Sequence, residues 1–112
     1  MSSSRRDFLE RELERVRRTL HEYRLLLDHC QNMIHRQLHR NFALEEEIRR
    51  LNERMVQDVP VFRSNRDERK FSQELHNIAA RLQAAHLELR SVREQEIPRL
   101  VTARNEIEDM IK

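Results

Sequence analysis

The sequence predicts an all-α protein, an antiparallel three-helix bundle with a long first helix. Three observations carry this. The 112 residues include no Gly, no Trp and only two Pro, so the turn chemistry that a β-sheet relies on is missing. Apolar residues recur at alternating spacings of four and three along most of the chain, the signature of a helical seam. The pattern plainly stops in only one stretch, MVQDVPVFRSN (Met55–Asn65), and then resumes.

The first helix is expected over about 5–57. Its seam reads Leu9, Leu13, Val16, Leu20, Tyr23, Leu27, Cys30, Ile34, Gln37, Asn41, Leu44, Ile48, Leu51 and Met55. Only Gln37 and Asn41 interrupt its apolar character. Ser4-Arg5-Arg6-Asp7 is a start signal, with Ser4 as cap and Asp7 in the first turn. Pro60 ends the helix: it lacks the N–H that a continuing helix needs, and it biases Val59 away from the helical region. The turn is expected at 58–64. Ser64-Asn65-Arg66-Asp67 repeats the start signal. The second helix, about 65–96, has the seam Phe71, Leu75, Ile78, Leu82, Ala85, Leu89 and Val92. A short connection between two such helices makes an antiparallel hairpin.

Residues 98–112 admit two readings. After Pro98 the seam, Leu100, Ala103, Ile107 and Met110 or Ile111, is out of phase with the one before it. Either the helix runs on with a stutter and a kink, giving a two-helix hairpin, or a third helix starts near Pro98. Helix 1 carries extra apolar residues off its seam, Leu26, Met33, Leu38 and Phe42, and so wide a face suits two neighbours. This favours the three-helix bundle, although Ile97 is a poor cap for a new helix.

Charge excludes several functions. There are 22 basic and 20 acidic residues, a net charge of +2. Acids precede bases by four residues in Asp7→Arg11, Glu14→Arg18, Glu45→Arg49 and Glu46→Arg50. Each such pair contributes about 0.3 kcal/mol and describes a solvated helix face rather than a nucleic-acid stripe. The longest aliphatic run, Leu25-Leu26-Leu27, is too short to span a bilayer. The N-terminus lacks the apolar core of a secretory signal, and Cys30 has no second cysteine to pair with. These features lead to the expectation of a soluble cytoplasmic protein that binds neither nucleic acid nor membrane.

No catalytic constellation, cofactor motif or metal set is present in the sequence pattern, so an enzyme is not expected. Cys30 lies on the seam, where a small buried thiol is the ordinary reading. His35 and His39 have a spacing that can chelate, but no further ligands are specified. From His29 to Leu44 the chain has His29, His35, Arg36, His39 and Arg40 and no acid. This is either drift in a surface face or a basic band that meets an acidic partner. Gln37 and Asn41 either flank a hydrated gap or fix the register. Phe8, Leu9, Leu13 and Val16 make the first turns of helix 1 apolar on one face. In the bundle nothing covers them, which implies self-association or a partner. In the hairpin, residues 98–112 cover them.

The blocks RLQAAHLELRSVRE (Arg81–Glu94) and EEEIRRL (Glu45–Leu51) resemble the second helix and the end of the first helix of the tubulin-binding cofactor A family. The resemblance covers roughly residues 45–95. It implies a small three-helix bundle that binds β-tubulin as a chaperone of the tubulin-folding pathway, with cytoskeletal association. Arg36, Arg40, Glu45, Glu46, Arg81 and Glu88 are the candidate partner-binding residues. The alternative function is a coiled-coil scaffold or dimerisation module of a larger cytoskeletal or tethering assembly. It rests on the two seams and on a helical pattern that runs to Lys112, as in a fragment.

Overall fold

A computed structural model describes the backbone of Ser2–Lys112 and the side chains from Ser4 onward. The described residues are helical, without strands. Helix α1 spans Ser2–Met55 and α2 spans Asn65–Ser91; a π-helical turn, Val92–Glu96, leads into α3, Ile97–Ile111. No helix among the described residues is long and apolar enough to cross a membrane.

α1 begins before the expected signal, so Ser4 lies inside the helix rather than capping it. The first-turn N–H groups have no helical acceptors in any case, and serines there cost little. The helix closes two residues early, with the Val56 N–H donating to the Asn52 carbonyl at 3.2 Å. The loop is therefore 56–64. The second start signal works as read: Ser64 has an extended backbone and its hydroxyl accepts the Asp67 N–H at 3.2 Å. Phe62 packs against Phe71 with ring centroids 5.4 Å apart and planes tilted by 54°, which pins the loop to the first turns of α2.

The separate third helix is not formed. The backbone stays right-handed helical at Ser91, Val92 and Ile97, so α3 continues from α2 without a turn. The Ile97 N–H reaches back to the Val92 carbonyl, the five-residue span of a π turn. Such a turn holds one residue more than an α turn. From Val92 to Leu100 the seam advances eight residues instead of seven, so the bulge accounts for the phase slip. It also widens the helix just ahead of Pro98, where the ring would otherwise press on a carbonyl. The wide face of α1 gains no third neighbour: Leu26, Leu38 and Phe42 are each about half exposed.

The chain divides into two compact units, Met1–His35 with Pro98–Lys112, and Arg36–Ile97. In the second, the core is Leu44, Ile48, Ala85, Leu89 and Val92, with Leu82 and Ile97 packed against it. All but Ile97 are seam residues, so the α1–α2 seam is assigned correctly from periodicity. In the first unit, Leu20, Tyr23, Leu27 and Cys30 are half-buried and Ile34 is buried. Met110 and Ile111 line a groove with Leu20 and Tyr23. The cover ends there. Leu9, Leu13 and Val16 are 57%, 51% and 58% exposed, so residues 98–112 do not cover the N-terminal stripe as the hairpin reading expected.

Candidate interaction surfaces

Most candidate residues sit on the flanks of the α1–α2 seam. Charged residues stand beside several of the inward positions, and the two helices match there. Arg40 Nη2 donates to Glu88 Oε2 at 3.3 Å. Arg81 makes a two-pronged contact with Glu47, its Nη2 donating to Oε2 at 2.7 Å and its Nε to Oε1. Arg81 also lies 3.6 Å from Glu88. Arg40, Glu88, Arg81 and Glu47 thus alternate in sign along one flank. The bidentate geometry is the strong form of the contact. The hydrogen bond from Arg81 holds the Glu47 carboxyl below its usual range, against the opposing effect of burial and with a lesser contribution from the Arg81 charge. The same pair pushes the Arg81 guanidinium up.

On the other flank, Arg93 Nε donates to Asn41 Oδ1 at 2.8 Å and Arg93 Nη2 to Glu45 Oε1. Asn41 Nδ2 also donates to Glu45 at 3.4 Å. The polar seam position at Asn41 is therefore a docking point for Arg93, which supports the register reading. Gln37 does not share that role: its Oε1 is buried without a hydrogen-bond partner. Glu46 belongs to neither flank. It pairs within α1 with Arg49 at 3.0 Å.

Of the six candidate residues, Arg40, Glu45, Arg81 and Glu88 clasp the two helices, Glu46 is local, and Arg36 is exposed on α1. Sequence reasoning missed Glu47 and Arg93. Their signal was available: Glu47 precedes seam residue Ile48, and Arg93 follows seam residue Val92. Among the histidines, His29 and His35 are exposed in the first unit and His39 in the second. No group of three metal-ligating side chains occurs among the described residues. Cys30 is half-buried on the seam.

The other surface is the N-terminal part of α1. Here the seam is intact in sequence and open in structure. Its inner end is a groove of about 430 Å³ lined by Arg15, Val16, Thr19, Leu20, Tyr23, Met110 and Ile111. Nearby charges are satisfied along the helix itself, Arg6 to Glu10 at 3.4 Å and Arg15 to Glu12 at 2.6 Å. Comparison with protein-family models, with curated proteins and with solved structures finds no match to this chain.

Proposed function

We propose that the chain is a protein-binding coiled-coil module without catalytic activity, which engages its partner through the uncovered seam at the start of α1. The observation that carries this is the run Leu9, Leu13 and Val16, apolar at seam spacing and more than half exposed. From Leu20 to Leu51 the same pattern is half-buried or buried. A helix that presents an open seam on a preformed backbone recognises a second helix by knobs-into-holes packing. The clasped α1–α2 segment serves as the folded body. The test is retention of proteins from cell extract by the immobilised chain and by Leu9→Asp/Leu13→Asp, with helicity checked by circular dichroism. Loss of retained proteins in the variant is expected. Equal retention by both chains overturns the reading.

A second reading is a β-tubulin-binding chaperone. It is favoured by the likeness of 45–51 and 81–94 to the cofactor A family and by the exposure of Arg36 and His39 on a stretch without acids. Cationic surface accelerates encounter with an acidic protein such as tubulin. Arg36→Glu is a suitable probe, because Arg36 is exposed on that stretch. A slower association with purified tubulin at low salt, fading as salt rises, is expected. An unchanged on-rate removes this reading.

A further inference from the structure

We infer that the first turns of α1 pair antiparallel with the same turns of a second copy, with Leu9 of each chain facing Leu13 of the other. This rests on the reading of that seam as an interaction surface, and it names the occupant. The chain builds a matching clasp within itself.

In the second unit, the charged pairs on either side are placed so that Leu44 on α1 faces Leu89 on α2, both in the core. On one flank Arg40, four residues before Leu44, meets Glu88, one residue before Leu89. On the other, Glu45, one residue after Leu44, meets Arg93, four residues after Leu89. Next along the seam, Asn41 lies level with Val92 and takes up Arg93.

The start of α1 contains both halves of this set in one helix. Around Leu9, Arg5 stands where Arg40 stands to Leu44, and Glu10 stands where Glu45 does. Around Leu13, Glu12 stands where Glu88 stands to Leu89, Val16 where Val92 does, and Arg17 where Arg93 does. Residue types are the same at every one of these positions. Only the counterpart of Asn41 differs, being Arg6, whose aliphatic stem can lie over Val16 of the other copy. An antiparallel second copy therefore reproduces the clasp twice by symmetry, with Arg5 meeting Glu12 and Glu10 meeting Arg17 across the interface. Glu10 and Glu12 are free to turn outward, because their local pairs with Arg6 and Arg15 are exposed and weak.

A parallel copy also brings opposite charges together, Arg5 with Glu10 and Glu12 with Arg17. Its helix, however, would run on over Leu20 and Tyr23, where Met110 and Ile111 already lie. The antiparallel copy fills the open seam of Leu9, Leu13 and Val16. Such an interface is isologous and closes as a dimer. It is short, so the dimer is weak and forms with rising concentration.

The test uses the full chain in sedimentation equilibrium from micromolar to millimolar concentration. The parent should pass from monomer to dimer. Glu12→Arg sets two like-charged pairs across the interface and should raise the dissociation constant roughly tenfold. Arg5→Glu should do the same. Arg5→Glu/Glu12→Arg restores opposite charges in the antiparallel register and should recover the parent constant. In a parallel register the double variant is worse than either single one, and that result overturns the inference. A parent that stays monomeric throughout also overturns it, as does a dimer that survives Leu9→Asp/Leu13→Asp. If a monomeric parent still retains extract proteins that this variant loses, self-pairing fails while the interaction reading stands.

Discussion

Replacing Leu89 by Ala removes side-chain carbon from the centre of the α1–α2 contact. Leu89 is 8% exposed and packs in the core with Leu44, Ile48, Ala85 and Val92. Loss of three carbon groups, at about 0.8 kcal/mol for each buried CH₂, comes to about 2.4 kcal/mol. A cavity term adds to this, but a two-helix contact is open along both flanks and collapses readily. The total therefore falls at the low end of the Leu→Ala range, about 2.5 kcal/mol. Leu87 is the control: it lies two residues away on the same helix and is 61% exposed. Leu87→Ala should cost less than about 0.5 kcal/mol. With a urea dependence of about 1.5 kcal/mol/M, Leu89→Ala lowers the unfolding midpoint by about 1.7 M and Leu87→Ala by about 0.3 M at most. Circular dichroism in a urea series reads both. Equal midpoints for the two variants would mean that the seam does not hold the fold.

Further outcomes concern the bulge and the clasp. Pro98→Ala should raise the thermal midpoint modestly and leave helicity unchanged, because the π turn already relieves most of the ring's conflict; a fall in helicity would show that Pro98 is needed to place the bulge. Arg40→Glu puts two carboxylates together with Glu88 and should lower stability by about 1 kcal/mol, so a midpoint equal to the parent's in low salt would remove Arg40 from the clasp. The Glu47 carboxyl titrates lower in the folded chain than in the unfolded one because of Arg81. Its contribution is therefore present in full above the ordinary carboxylate range and is lost as pH falls through the depressed value. Arg81→Met should flatten the decline in stability from neutral to acid pH, and an equally steep decline in both chains would place the acid sensitivity elsewhere.

The backbone of this fold is legible in its sequence where a pattern repeats. The seam from Leu20 to Leu51 and the one from Phe71 to Val92 are read directly, because each repeat tests the one before it. Ser64 is legible for a different reason: its hydroxyl replaces a missing helical acceptor at a fixed spacing from Asp67. Pro98 is not legible in the same way. A slip of one residue in the seam describes a bulge inside a continuing helix as well as it describes the start of a new one. The choice depends on whether the preceding turn can widen, and that is a property of backbone packing rather than of residue type. The breadth of the α1 apolar face misleads for a related reason. Leu38 and Phe42 stay exposed because hydrophobic residues are permitted on a surface as well as required in a core.

Charge was harder to read than hydrophobicity, and the reason bears on the site. A charged residue beside a seam has two partners available, one four residues along its own helix and one across the interface. Glu45 followed by Arg49 looks like a local pair, yet Arg49 takes Glu46 and Glu53, and Glu45 takes Arg93. What decides the outcome is the position relative to the seam. Within each four-residue step of the seam, the residues next to the inward positions face the neighbouring helix, whereas the middle of that step and the residues of the three-residue steps, such as Arg49 and Arg90, meet only their own. Applied to the start of α1, the same rule assigns Arg5, Glu10, Glu12 and Arg17 to the interface and Glu14 and Arg18 to the solvated face. Those four positions hold charges of the sign that the clasp uses. A surface helix with no partner has no need to place acids and bases in that order around an open row of Leu and Val. The charge order and the uncovered seam are independent features of the chain, and both fit the proposed second helix at the same place.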